Sequence, residues 1–438
     1  MEIIVKLAVI ADDLTGANDT GVQFAKQGLK TTVLFSNTKL HQELFTGEVI
    51  VLNSDSRALN PESAYETVYN ISEQLNQLGV SNVFKKIDST MRGNVGQEID
   101  AVMDVFQYQI SFVVPAFPKS NRITENGKHY VHGVPLEKTE IANDPSCPVK
   151  EGYLPKLVQQ QSKRKVELIT IDDVRKSKGE LAQKMKALSS DQASKIVIID
   201  ATTDEDLKAI AEAAQLVGEE VMWVGSAGIA YHLCETVKDQ ETVSEKQERK
   251  GLPVLVVAGS VNSITDKQIQ QLKKKMNVGE IVISPEQFFD ETKRHQEIQR
   301  AVLEGNTLLE KGNLVISTNR SREAIERVKK IQASLGLTNL DIGSVIAKAM
   351  GQIAGKLVES KDISGAVLTG GDIAGATCKI LEGNGINVIG EVEDGIPYGK
   401  LLGGHHDGLP LVTKAGAFGT EQALVKAVET LSGSHEYV

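Results

Sequence analysis

Residues 6–21 read KLAVIADDLTGANDTG. A short apolar run, Leu7 to Ile10, stops at two adjacent carboxylates, Asp12 and Asp13, and a helix-like pattern begins near Ala17. An apolar strand that ends in acids and turns into a helix is where open α/β sheets place their ligands, at the carboxyl ends of the strands. Neighbouring strand residues point to opposite faces, so one of the two aspartates is expected to face a ligand. A carboxylate there can orient or deprotonate a hydroxyl, or hold magnesium. A haloacid-dehalogenase-type phosphatase would need Asp-x-Asp after the strand, and Leu14 occupies the second position after Asp12.

Working outward, the same rhythm recurs. Strands are expected at Ile3–Ile10, Thr31–Phe35, Glu48–Asn53, Asn82–Ile87 and Ile110–Val114, with helices at Ala17–Gln27 and Pro61–Gln77 and Gly28 as a helix stop. Val166–Ile171, Lys195–Asp200 and Glu220–Val224 continue the pattern. Near-continuous apolar strands alternating with helices predict an α/β fold with a mainly parallel sheet flanked by helices. The charged stretch Glu235–Gly251 reads as a linker, after which the pattern restarts at Leu252–Ala258. Two domains are therefore expected, 1–240 and 252–438, with a cleft between them.

Pro115–Pro148 interrupts the first domain. It is too long for an ordinary connector and reads as a functional loop or lid. Its Asn126-Gly127 pair between β-capable flanks predicts a tight hairpin.

The net charge of -10 and the 4% aromatic content exclude a general nucleic-acid binder. No run approaches the length of a membrane span. Cys147, Cys234 and Cys378 are odd in number and form no CxxC pair, as in a protein of a reducing compartment, and a cytoplasmic enzyme is expected.

Two further strand ends carry charge. Asn53–Arg57 reads NSDSR, and Lys85–Asn94 reads KKIDSTMRGN. Together they offer Arg57, Lys86, Asp88, Ser89, Thr90, Arg92 and Asn94 before a helix that starts near Val95. Arginine suits bidentate carboxylate binding, lysine acts as a point charge, and hydroxyls and amides read a polyol. Three such clusters at successive strand ends describe a pocket for a small hydroxylated anion.

The second half is Gly-rich instead. Leu368–Lys379, LTGGDIAGATCK, follows a strand and opens a helix, so its backbone amides can approach phosphate oxygens. Gly370, Gly375 and Thr377 nearly match Walker A, but Ala376 stands where the lysine belongs. Ala258-Gly259-Ser260 and Lys414–Thr420, KAGAFGT, are two more small-residue turns. Three such turns suit a nucleotide, with Asp372 and Asp394 as candidates for magnesium or sugar hydroxyls. His405 and His406 lack a third ligand at metal spacing and read as a polar loop. No GxGxxG with a downstream ribose acid follows a strand, which disfavours a dinucleotide oxidoreductase. A non-catalytic sugar-acid or nucleotide sensor is the alternative of another class.

Read together, IADDLTGANDTG, KIDSTMRGN, the long PAFPKSNRITENGKHYVHGVPLEKTEIANDP segment, LTGGDIAGAT and TKAGAFG resemble the four-carbon acid sugar kinases over nearly the whole chain. The resemblance implies an N-terminal substrate domain and a C-terminal nucleotide-binding domain. It implies ATP-dependent phosphorylation of the terminal hydroxyl of a tetronate such as D-threonate, D-erythronate or 3-oxo-tetronate. The wording of the N-terminal motif leans towards D-threonate or 4-hydroxythreonate. Position by position, it assigns Asp12, Arg57 and Lys86, Ile87, Asp88 and Ser89 to the sugar acid, and Ser260, Gly370, Gly371, Asp372, Ile373 and Gly416 to ATP. Asp13 and Arg92 join the substrate side from the residue reading. Asp12 or Asp88 is expected to orient or deprotonate the hydroxyl, Arg57 and Lys86 to hold the carboxylate, and Mg²⁺ to assist at the phosphates. The metal ligands are unknown, and a homodimer is the assembly to test.

Overall fold

Leu7–Ala11 forms the first strand, β1, buried along its whole length. Asp13 caps the helix that follows, α1 (Leu14–Lys26), by accepting a hydrogen bond from the Gly16 amide at 2.8 Å. The helix therefore begins at Leu14 and not at the expected Ala17, because capping satisfies its free amides before the apolar stripe starts. Gly28 takes the left-handed conformation (φ 85°) just past its end.

The structure is a computed structural model and describes residues 5–36, 38–144, 146–189, 194–218, 221–234, 251–259, 263–416 and 418–433. Ser260, and residues 235–250 of the expected linker, lie outside the described residues. Spatial contacts divide the chain into two compact units, Met1–Thr242 and Val243–Val438. Among the described residues no helix is long and apolar enough to cross a membrane.

The first unit continues with β2 (Thr31–Leu34), β3 (Val49–Asn53), α2 (Pro61–Gln77), β4 (Val83–Lys86), α3 (Val95–Phe106) and β5 (Ile110–Val114). A small antiparallel sheet follows, β6 (Arg122–Glu125), β7 (Lys128–Val131) and β8 (Val134–Pro135). Then come α4 (Leu154–Gln161), β9 (Lys165–Ile169), α5 (Ile171–Val174), α6 (Lys178–Ser189), β10 (Lys195–Ile199), α7 (Asp204–Ala214), β11 (Met222–Gly225) and α8 (Ala227–Leu233). The main sheet runs β2-β3-β1-β4-β11-β5-β10-β9. Its neighbouring strands are all parallel.

The chain leaves β1 for β2 and β3 on one side and returns to β4 on the other. β1 is thus the topological switch point of this sheet. In register, Ala11 lies beside both Asn53 and Lys86, so the loops beginning at Asp12, Ser54 and Ile87 leave the sheet at one level. Each fully buried Leu, Ile or Val of these strands contributes roughly 1.5–3 kcal/mol of transfer free energy, which holds those three loop bases against one another.

The second unit comprises β12 (Val254–Ala258), α9 (Ser263–Lys275), β13 (Val278–Ile283), α10 (Glu291–Leu309), β14 (Asn313–Thr318), α11 (Arg322–Leu335) and α12 (Asn339–Ser360). It continues with β15 (Gly365–Thr369), α13 (Gly371–Ile380), β16 (Gly385–Glu393), β17 (Ile396–Leu402), β18 (Pro410–Lys414) and α14 (Ala423–Leu431). Its strand order is β13-β14-β12-β15-β18-β17-β16, parallel from β13 to β18. The last two pairings are antiparallel. The chain moves from β12 to β13 and β14 on one side and to β15 on the other, so the switch point lies between β12 and β15. Val256, Val367 and Val412 pack with Ile269, Leu272, Leu424 and Val428 in the core beneath it.

Candidate active site

In the first unit the structure brings the three expected clusters together at the ends of β1, β3 and β4. Arg57 lies between the two aspartates. Its Nε and Nη2 donate to Asp12 Oδ2 and Oδ1 at 2.8 and 3.0 Å, and its Nη1 and Nη2 donate to Asp13 Oδ2 and Oδ1 at 2.8 and 2.7 Å. Both aspartates therefore turn to one partner, contrary to the expectation that alternation separates them. The strand stops at Ala11, so the alternation of side chains does not extend through Asp13, which caps the helix instead. The Ser56 and Arg57 amides both donate to the Asp12 carbonyl, at 3.1 and 3.2 Å, and fix the loop after β3 against the loop after β1.

Four of the five guanidinium N–H groups of Arg57 are thus committed to carboxylates. Lys86 is buried and its Nζ donates to the Ile87 carbonyl at 2.9 Å. It also lies against Gly16, where a Cβ would stand 2.8 Å from Nζ and 2.7 Å from Asp13 Oδ1. A Cβ at this position would have to push the ends of the Lys86 and Asp13 side chains aside.

Asp88 accepts from Arg92 Nε at 2.7 Å and from the Thr90 hydroxyl. Arg92 Nη1 reaches Asp144 at 3.2 Å, tying the Pro115–Pro148 segment to this cluster. The Cys147 thiol donates to the Arg57 carbonyl at 3.2 Å in the same segment. Asn126 (φ 50°) and Gly127 (φ 74°) form the expected tight turn between β6 and β7.

The carboxylates differ in proton affinity. Burial pushes Asp12 up, but Arg57, Lys85 and Lys86 outweigh it and hold Asp12 below the usual range. Burial likewise pushes Asp88 up, but Arg57 and Arg92 overcome it and hold Asp88 well below an ordinary aspartate. Burial, joined by the charge of Asp12, leaves Asp13 raised despite Arg57 and Lys86. Asp12 and Asp88 are therefore ionised at neutral pH and suited to orienting a hydroxyl.

Sequence reasoning missed the support beneath these loops. Lys85 and Glu98 form a fully buried ion pair at 2.7 Å. Lys85 also donates to the Ile10 and Lys86 carbonyls, and Glu98 accepts from Ser56 Oγ at 2.9 Å. Ser54 Oγ lies 2.8 Å from Ser56 Oγ and from the Ala11 carbonyl. It also missed Asp19 on α1, raised by burial while Lys86 and Arg122 pull it down. The signal for Asp19 was its place in the quoted stretch, two turns beyond Asp13.

In the second unit the turns after β12, β15 and β18 leave the same edge of adjacent parallel strands. Gly370 has φ 99° and donates its amide to the Lys414 carbonyl at 2.7 Å. It precedes α13, whose first turn carries Gly371, Asp372 and Ile373. A Cβ on Gly259 would stand 2.3 Å from Ile373 Cδ1, so the end of β12 packs directly on that turn. Gly416 lies in the third turn, which is held from behind. Lys414 Nζ donates to the carbonyls of Ala415, Gly416 and Phe418 at 3.0, 3.0 and 3.1 Å. Thr265 donates to Gly416 O at 2.8 Å, and Gln268 donates to Phe418 O at 3.0 Å and Thr420 O at 2.9 Å. These bonds draw the carbonyls of Ala415, Gly416, Phe418 and Thr420 inward.

Asp394 sits at the tip between β16 and β17. His405 and His406 lie in the connection from β17 to β18, at the opposite edge from the glycine turns, with His405 largely exposed. Among the described residues no group of three or more His, Cys, Asp or Glu could hold a metal ion.

Comparison with known proteins agrees with this division. Residues 7–233 match the family model of a sugar-binding N-terminal domain, and residues 255–424 that of a nucleotide-binding C-terminal domain. The chain is 33% identical to a D-threonate kinase of Salmonella typhimurium, over 97% of both chains. It is 33% identical to a D-erythronate kinase of Heliobacterium modesticaldum, also over 97% of both. A solved structure of a Haemophilus influenzae DUF1537 protein shares the fold, with a TM-score of 0.75 at 23% identity, covering 96% of this chain and 98% of that one. The chain belongs to the four-carbon acid sugar kinase family and is a phosphotransferase.

Proposed function

We propose that the protein transfers the γ-phosphoryl group of ATP to the terminal hydroxyl of D-threonate. 4-Hydroxythreonate, D-erythronate and 3-oxo-tetronate are the neighbouring candidates. The observation that carries the reading is the Asp12–Arg57–Asp13 arrangement at the switch point of a unit matched by a sugar-binding model.

In this reading the first unit binds the sugar acid through Asp12, Asp13, Arg57, Lys86, Ile87, Asp88, Ser89 and Arg92. Asp12 orients the terminal hydroxyl and receives its proton as the phosphoryl group arrives, and Asp88 fixes Arg92. The second unit holds ATP at Gly370, Gly371, Asp372, Ile373 and Gly416, with Ser260, the first-turn amides of α13 at Gly371, Asp372 and Ile373 serving the phosphates. The exposed Asp372 carboxylate is the group we assign to Mg²⁺, which would supply charge neutralisation at the phosphates. Phosphoryl transfer asks for positioning and charge neutralisation rather than covalent help, which suits low-pKa aspartates. The cytoplasm, with its ATP, is where we place the reaction.

ATP consumption across D-threonate, L-threonate, D-erythronate, 4-hydroxythreonate and 3-oxo-tetronate tests it. D-Threonate is expected to give the highest kcat/KM, and a preference for another acid would reassign the substrate. An Asp12→Ala protein that keeps full turnover would remove Asp12 from the reaction.

A further inference from the structure

A sugar acid differs from a neutral polyol of the same length by its carboxylate. Selecting the acid takes a cation with uncommitted donors. Most arginines of the first unit have none to spare. Arg57 is held by Asp12 and Asp13, Arg92 by Asp88 and Asp144, Arg164 by Asp100 and Asp104, and Arg175 by Asp206. Arg122 differs. Among the described residues it has no carboxylate partner, and its side chain donates only from Nη1 to the Ser120 carbonyl, at 3.1 Å. Its Nε is buried and meets no acceptor. The Nε–Nη2 edge is the one with which Arg57 grips Asp12, and on Arg122 it is unclaimed.

The fold puts this residue at the site. β5 is parallel to the rest of its sheet, so the segment leaving it starts on the same edge as the loops after β1, β3 and β4. The segment turns through Pro118–Ser120 and Asn121 (φ 55°). It then closes on itself, with the Phe117 amide donating to Arg122 O at 2.8 Å and the Arg122 amide to Phe117 O at 3.2 Å. Arg122 thus stands on a rigid base. Its charge is felt by Asp19, which also feels Lys86 and Asp13, and by the buried His129, which also feels Asp88. Arg122 therefore shares its surroundings with both halves of the candidate site.

We infer that Arg122 receives the substrate carboxylate on its Nε–Nη2 edge and sets the preference for acids over uncharged analogues. Arg57 then serves as the organiser of Asp12 and Asp13 rather than as the main anion anchor. This rests on the sugar-acid reading above.

The test compares D-threonate with its uncharged carboxamide as acceptors for the wild type, Arg122→Gln and Arg122→Lys. Arg122→Gln is expected to raise KM for the acid roughly 10- to 100-fold while KM for the amide and for ATP stays within about twofold. Arg122→Lys, with a point charge in place of the fork, should fall between. An acid KM unchanged in Arg122→Gln overturns the inference, and so does an equal loss for acid and amide, which marks a structural effect. Should the glutamine protein fail to fold, an Arg122→Lys acid-to-amide ratio equal to the wild type's overturns it. A wild type that consumes ATP with none of the tetronates overturns the sugar-acid reading and this assignment with it. The Arg122 results alone overturn only the assignment.

Discussion

The Arg57 guanidinium lies edge-on to the Asp12 carboxylate, with Nε 2.8 Å from Oδ2 and Nη2 3.0 Å from Oδ1. Burial opposes the ionisation of Asp12, and Arg57 is the largest influence restoring it. In the folded state its pKa is lowered, so its ionised form contributes stability that is present above the unfolded value and lost as pH falls through the folded one. Arg57→Gln removes that influence and raises the pKa of Asp12. The acid limb of the kcat/KM profile is then expected to move to higher pH, with turnover reduced about 100-fold or more. An acid limb left where it was would mean that Arg57 does not govern the reacting carboxylate.

The Lys85–Glu98 pair gives a prediction about stability. Neither side chain reaches solvent, and removing one partner strands the other's charge. Lys85→Met should cost about 3–5 kcal/mol in chemical denaturation. The double variant Lys85→Met/Glu98→Leu should recover much of that loss. A double variant whose loss equals the sum of the Lys85→Met and Glu98→Leu losses would show that the two charges are not coupled.

The two glycines beside the expected phosphate site fail differently when given a methyl group. Gly370→Ala meets no atom within 4 Å but must adopt φ 99°, a strain of roughly 1–3 kcal/mol. Gly259→Ala meets Ile373 Cδ1 at 2.3 Å without any conformational penalty of that kind. Trimming with Ile373→Val is therefore expected to restore the melting temperature of Gly259→Ala and leave that of Gly370→Ala low. Rescue of both would refute the strain at Gly370.

Lys414 sets an alkaline limit. Burial brings its ammonium down to about 8, with Glu393, itself paired to Lys426, pulling the other way. Below that pH three N–H groups serve three carbonyls, and above it one carbonyl loses its donor. KM for ATP should therefore rise above about pH 8, and Lys414→Met should show a high KM at every pH, with KM for the sugar acid unchanged in both. Stability has the opposite sign. The folded pKa lies below the ordinary lysine value, so the penalty of burying the charge recedes as pH climbs from about 8. A pH-independent KM in the wild type would exclude the ammonium as the group that shapes the loop.

Much of this was legible because a parallel sheet gathers the ends of its strands. Once Leu7–Ile10, Glu48–Asn53 and Asn82–Ile87 read as strands, Asp12, Arg57 and Lys86 followed as neighbours. Their pairing did not follow. That Arg57 bridges Asp12 and Asp13 depends on where β1 stops and on Asp13 capping α1, which apolar periodicity does not report. β17 also escaped, since Pro397 and Gly399 weaken the strand pattern of Ile396–Leu402. Lys414 was read as a neighbour of glycines, yet its ammonium folds back onto the loop it precedes. Arg122 lay within a segment rich in turn residues, and only the ion pairs among the described residues distinguish it from the other arginines of the first unit.

Asp13 carries one further consequence. The same carboxylate receives the Gly16 amide and the Arg57 fork. Fraying of the first turn of α1 and dismantling of the Asp12 arrangement are therefore one local opening, not two. The Gly16 amide becomes a spectroscopic reporter of the site. Its hydrogen-exchange rate should fall when an acceptor binds, although no ligand atom need come near it.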